Sequence, residues 1–203
     1  MEKTAVQKLA GALKVLVTIT LVCNLVALLL VPGMSLMKGP EELLALTPYE
    51  NPLEVPLRVG IAFVLSWGWV WTAGVYEVVL ALFLLFCGIC TAVILWQGRR
   101  VLGTILTGAP FRAENGVSLR RAAVCCFLIA AAALARVVWG LFYYGSVAPL
   151  LTYNALFVPI FILGGLLCLV MSALFRQAAE LKAENEWKRK GKRKVQADRS
   201  TRQ

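Results

Sequence analysis

The run VGIAFVLSWGWVWTAGVYEVVLALFLLFCGICTAVILWQ, residues 59–97, decides the fold, because counting it as one membrane crossing or two sets the side on which everything after it lies. It is almost unbroken in apolar residues and too long for one upright helix, since about 20 residues cover the roughly 30 Å of bilayer hydrocarbon. Two crossings would leave a first piece, ending near Ala73, that is short for a span. They would also place both arginine-rich gaps that follow outside the cell, against the tendency of cytoplasmic flanks to retain positive charge. The run therefore reads as one span, 75–97, preceded by an outer segment, 59–73. That segment carries Trp67, Trp69 and Trp71 near Gly60, Gly68 and Gly74. Indoles favour the headgroup level, where an apolar ring and a polar N–H are both satisfied, so the segment is expected to lie along or dip into the outer interface. A single tilted, overlong helix is the alternative.

Three further apolar stretches flank this one, at about 13–31 (its apolar core beginning at Val15), 122–144 and 153–175. Hydrophobic residues make up 60% of the 203-residue chain and charged residues 16%, against about 25% charged in soluble domains. The expected fold class is an all-α integral membrane protein, a four-transmembrane-helix bundle over residues 1–187 with a basic, disordered tail at 188–203. Orientation follows from the charges. Lys3, Lys8 and Lys14 precede the first span, Arg99, Arg100, Arg112, Arg120 and Arg121 lie between the second and third, and ten basic against four acidic residues fill 176–203. In the first gap Lys38 and Arg58 are outweighed by Glu41, Glu42, Glu50 and Glu54, and 145–152 is uncharged. Both termini are thus expected in the cytoplasm. The first apolar run is too long for a signal-peptide core and no small-x-small site follows it, so it reads as a retained helix that stops at Pro32 and Gly33.

Chemistry-bearing patterns are scarce. The chain has no histidine, no G-x-S-x-G, no Walker loop and no pair of carboxylates at helical spacing within a span, so neither an enzyme nor a cofactor is expected. Cys23, Cys87, Cys90, Cys125, Cys126 and Cys168 all fall in spans. Cys87 and Cys90 form a C-x-x-C, but without histidine or acidic neighbours they read as small packing residues and no metal site is expected. Thr18, Thr20, Ser66, Thr72, Thr91 and Ser172 are expected to bond backbone carbonyls. Ala130 to Ala133 with Ala135, and Gly164 with Gly165, suit close helix packing, to which Asn24 and Asn154 can add hydrogen bonds.

Two charges remain inside the membrane, Glu77 and Arg136. At mid-helix each costs about 2.5 to 3.5 kcal/mol on insertion scales. If span two begins near Trp69 and span three leaves near Gly145, both lie roughly 12 to 14 Å below the outer surface at 1.5 Å rise per residue, so they can meet at one depth. A buried pair clamping spans two and three is the structural reading. The alternatives are a polar site binding a ligand or ion from outside, and Arg136 reaching outward alone.

The cytoplasmic gaps carry the most distinctive local sequence. Span two is expected to continue as helix through Leu106 and stop at Thr107, Gly108, Ala109 and Pro110. Ser118 is a candidate N-cap for span three. After span four, FRQAAELKAENE extends the helix over 176–187, with Glu180 and Glu184 paired to neighbouring basic groups.

GAPF followed by Glu114, Asn115 and Leu119 to Arg121, together with Phe175, Arg176, Ala179, Glu180, Leu181, Glu184, Asn185 and Glu186, resembles the bacterial four-span membrane family DUF2975. Its pieces read approximately G-x-P-F-x-x-E-N and F-R-x-x-x-E-L-x-x-E-N-E/D. The resemblance implies a bacterial cytoplasmic membrane protein without established activity. Many members are encoded beside a small helix-turn-helix regulator, which implies a membrane partner that controls a DNA-binding protein.

Two function classes follow. In the first, a noncatalytic regulatory or scaffolding protein docks a cytosolic partner through Arg112, Glu114, Asn115, Arg176, Glu180, Glu184 and Asn185. Mutual pairing, with Glu114 or Glu184 tied to Arg120 or Arg176, is the structural alternative. In the second, small-solute or ion sensing or transport uses Glu77 and Arg136. Where family members end soon after the position of Glu186, here Trp187 leads into a basic run. Lys188, Arg189, Lys190, Lys192, Arg193 and Lys194 are expected to contact anionic lipid headgroups, each contributing up to about 1 kcal/mol. Specific nucleic-acid binding is not expected, because interleaved aromatics are missing.

Overall fold

In a computed structural model of the chain, which describes residues 5–36, 54–108 and 112–201, the described residues form five α-helices and two short 3-10 turns, with no strand. The helices are α1 (Ala5–Leu36), α2 (Glu54–Trp69), α3 (Val75–Leu106), α4 (Ala113–Tyr144) and α5 (Tyr153–Thr201). Four of them, α1, α3, α4 and α5, are long and apolar enough to cross a membrane. This is an all-α membrane protein of four spans.

The 59–97 run is broken at Ala73 and Gly74, where the backbone is extended after a 3-10 turn at Val70–Thr72. The single overlong helix is therefore excluded. Residues 54–69 form their own helix, which packs on α1. Ser66 and Val70 are buried, while Trp67, Trp69 and Trp71 are exposed. Val70 fits between Val31 of α1 and Ala81 of α3.

The first span does not stop at Pro32. Helix α1 runs through it to Leu36, with Pro32 fully buried. Proline lacks the N–H that would bond the Leu28 carbonyl, a loss that spanning helices tolerate when neighbours supply other donors. One residue further on, Trp67 Nε1 donates to the Leu29 carbonyl at 3.1 Å, tying α2 to the weakened turn.

The broadest helix interface is α4 with α5, followed by α1 with α3 and α3 with α4; α1 and α5 share none of comparable extent. Helix α4 is the most buried span. Ala122, Cys126, Ile129, Ala130, Ala133, Val137 and Gly140 recur at three- and four-residue spacing along its inward stripe. Of the small residues expected at interfaces, Ala130, Ala133 and Gly165 are buried, Gly165 beneath the Phe127 ring, whereas Ala131, Ala135 and the surroundings of Gly164 are open. Asn154's side chain lies outside the described ones.

Helix ends follow local chemistry. Beyond Leu106, Gly108 has φ 72°, and α4 ends at Gly145 with φ 58°, the left-handed conformation that glycine adopts without steric cost. Ser118 is not an N-cap: α4 already begins at Ala113 after Arg112, and Ser118 is buried inside the helix. Helix α5 continues past Trp187 to Thr201, further than the expected end at 187. Its last stretch is rich in Ala, Glu, Lys and Arg, good helix formers, and contains no proline after Pro159.

Candidate functional site

Chemistry collects at the two ends of the bundle. The basic end gathers the start of α1, the end of α3, the start of α4 and the part of α5 beyond Ser172. Antiparallel packing brings them together: Gly11 of α1 faces Leu106 of α3, and Lys14 Nζ lies over Gly103.

The two sequence pieces quoted above meet here. Asn115 is 1% exposed, and its Nδ2 donates to Thr104 Oγ1 at 2.7 Å, joining α4 to α3. Thr104 in turn donates to the Val101 carbonyl at 2.7 Å. On the other side Ser172 Oγ donates to the Gly116 carbonyl at 2.7 Å, joining α5 to α4. A Cβ at Gly116 would stand 3.1 Å from the Ser172 backbone oxygen, so glycine sets how closely these helices approach. Asn115 was expected on a docking surface. The structure corrects this: it is buried at the junction where α3 and α5 pack against the start of α4.

The remaining docking candidates are exposed. Arg112 precedes α4, and Glu114 pairs with Arg100 at 3.6 Å, rather than with Arg120 or Arg176. Arg176 pairs with Glu180 at 3.6 Å, and Glu184 with Lys188 at 2.7 Å, each across one helical turn. All these side chains are more than half exposed, so the pairs contribute little to stability. Asn185 is exposed as well. Arg112, Glu114 and Arg176 cluster around the junction, while Glu184 and Asn185 sit roughly 12 Å further along α5 at 1.5 Å per residue. Lys188, Arg189 and Lys190 are exposed on the same extension; the side chains of Lys192, Arg193 and Lys194 lie outside the described ones. Ala109, Pro110 and Phe111 of the connector also lie outside the described residues.

The other end is aromatic. Tyr76 of α3 stands 6.4 Å from Trp139, 6.5 Å from Tyr143 and 6.3 Å from Tyr144 between ring centroids, and Trp139 stacks on Tyr143 at 4.9 Å. These separations lie within the range in which aromatic pairs attract. Beside this cluster is a pocket of about 320 Å³ lined by Tyr76, Arg136, Trp139, Tyr144, Ser146 and Thr152, among others. Arg136 Cζ lies 4.8 Å from the centre of the Phe83 ring, a cation–π contact that compensates part of its desolvation.

Glu77 is placed differently. At the third position of α3, its carboxylate folds back over Gly74, the residue that precedes the helix. There it faces the positive end of the helix dipole. Among the described residues no ion pair links it to Arg136. Counted along the helices the two charges are not level: Glu77 lies two residues into α3 and faces the backbone before it, whereas Arg136 lies eight residues before the end of α4 and faces Phe83.

The six cysteines are free. Cys90 and Cys125 meet between α3 and α4, and Cys126 and Cys168 between α4 and α5, each pair within hydrogen-bonding reach. Among the described residues no cluster of three or more His, Cys, Asp or Glu could hold a metal ion.

A protein-family model described as "Protein of unknown function (DUF2975)" matches residues 48–187. No curated protein and no solved structure matches the chain.

Proposed function

Since the chain belongs to the DUF2975 family, whose function is unknown, its role must be argued from its own surfaces, and we propose that it is a noncatalytic regulatory or scaffolding protein of the bacterial cytoplasmic membrane. Its basic end, with both termini, faces the cytosol and docks a cytosolic protein such as a helix-turn-helix regulator.

The observation that carries this reading is the continuation of α5. From Glu180 to Gly191 every side chain is exposed, although the helix is uninterrupted. An isolated helix of this length is marginal in water, so such an extension gains from a partner that packs on it. Leu181, 61% exposed, and Trp187, 76% exposed, offer apolar contacts beside Glu180, Glu184 and Asn185. Arg112, Glu114 and Arg176 form the polar rim where the extension leaves the bundle.

Replacing Glu184 by Lys and Asn185 by Ala tests this. Loss of the copurifying cytosolic protein at unchanged membrane insertion is expected; unchanged copurification counts against docking there.

The aromatic-end pocket favours a second reading, sensing or transport of a small solute or ion at Arg136. Arg136→Leu then spares the cytosolic association and abolishes the solute response.

A further inference from the structure

A second cavity, of about 330 Å³, lies inward of the aromatic pocket and is bounded by all four spans. Ala27, Leu28 and Val31 of α1, Phe83 and Leu84 of α3, Ile129 of α4 and Phe161 of α5 are among its walls. It exists because α1 and α5 flank the central pair without a broad interface of their own, so it opens sideways between them. Phe83 lines this cavity and Arg136 the aromatic pocket, and the 4.8 Å contact between them marks where the two adjoin.

We propose that the two cavities form one binding site for an anionic amphiphile with a single alkyl chain, its head at Arg136 and its chain in the cleft between α1 and α5. The pocket supplies the Arg136 guanidinium, the hydroxyl of Ser146 and the hydroxyls of Tyr76 and Tyr144, which are hydrogen-bonded to each other, with no carboxylate in its lining; Thr152 already donates its hydroxyl to the Pro149 carbonyl at 2.6 Å. Glu77, the nearest acid in sequence, is turned back to Gly74. That donor set suits a carboxylate or phosphate. The cleft beyond is apolar except for Asn24 and Thr91, and Thr91 satisfies its own hydroxyl on the Cys87 carbonyl at 2.8 Å.

Each cavity is at the low end of the size range of small-molecule sites, which leaves room for one chain rather than two. Depth agrees: Phe83 and Arg136 lie level, each eight residues from the aromatic end of its helix, and the cleft runs about 12 Å further inward to Thr91 at the helical rise. The site rests on the same Arg136 pocket as the solute reading but differs from it in the chain-filled cleft, which a small polar solute does not enter.

The test uses the full chain in neutral phosphatidylcholine nanodiscs with a fatty acid bearing a diazirine near its chain end, the adduct being mapped by mass spectrometry. Label is expected on the segments around Leu28, Ile129 and Phe161. Ala27→Trp, at an exposed wall position, should cut it about tenfold, and Arg136→Gln should raise the half-saturating concentration by about tenfold. Asn24→Leu, which removes an oxygen without a donor partner from the cleft, should leave labelling equal or stronger. Competition identifies the source: free fatty acid alone competing indicates a free acid, and lysophosphatidylglycerol competing as well indicates a lipid-derived head. Competition by an alkyl alcohol of equal length, or by diacyl phosphatidylglycerol, overturns the proposal. So does label spread over the exposed faces of α1 and α5, or full labelling of a folded Ala27→Trp variant. If Arg136→Gln fails to fold, Ala27→Trp and the competition decide. Chain-end label in the cleft that is lost in Ala27→Trp supports this site even where no solute response exists, so the two readings fail separately.

Discussion

Ser172 and Gly116 are joined by a 2.7 Å hydrogen bond, hydroxyl to carbonyl, at the point where the helix bearing E-N-G crosses the helix that continues into F-R. The two most distinctive segments of the sequence thus share one junction, and the fully exposed extension of α5 begins at Glu180, about two turns beyond it.

Gly116 sets the spacing of that junction. Gly116→Val should destabilise the bundle by about 1 to 3 kcal/mol through overpacking against the Ser172 backbone, and Ser172→Ala by about 0.5 to 1.5 kcal/mol. Thermal unfolding in detergent measures both, with Gly116→Val the lower-melting variant.

Trp67 reports on the attachment of α2. Trp67→Phe keeps the ring surface but removes the donor to the Leu29 carbonyl, costing about 0.5 to 1.5 kcal/mol. Protease cleavage between α2 and α3 should accelerate accordingly, while the α4–α5 pair keeps its resistance.

Cysteine pairing tests the helix order. Mild oxidation in membranes should join Cys126 to Cys168 and Cys90 to Cys125, because each pair meets across one interface, and should not join Cys23 to Cys168. A split chain cut between α4 and α5 that remains covalently linked after oxidation, and separates on reduction, is the expected gel result.

Much of this architecture was legible in residue order. Apolar length gave the four spans, and Gly108 and Gly145 marked helix ends because only glycine enters that backbone region cheaply. Pro32 misled because its cost depends on neighbours, here α2, that local sequence does not specify. Ser118 misled because a helix beginning at Ala113 makes it an interior residue. For Glu77 and Arg136 the common depth assumed a second span beginning near Trp69; α3 begins at Val75 instead, so Glu77 lies near the helix start against Gly74 while Arg136 lies deeper, against Phe83. Asn115 looked like a surface contact because it is polar and lies near a loop; only the approach of α3 and α5 buries it. The sideways cleft had no sequence signal, since it arises from α1 and α5 standing apart.

The docking account is tested most directly by placing a photocrosslinking amino acid at each position from 177 to 190 in living cells and identifying what is captured. The account predicts one cytosolic protein, captured with helical periodicity around Leu181, Glu184, Asn185 and Lys188, and lost from the lipid-facing control position Leu163. Capture of lipid alone along the whole extension, or labelling of these positions by an impermeant reagent from outside the cell, would contradict it.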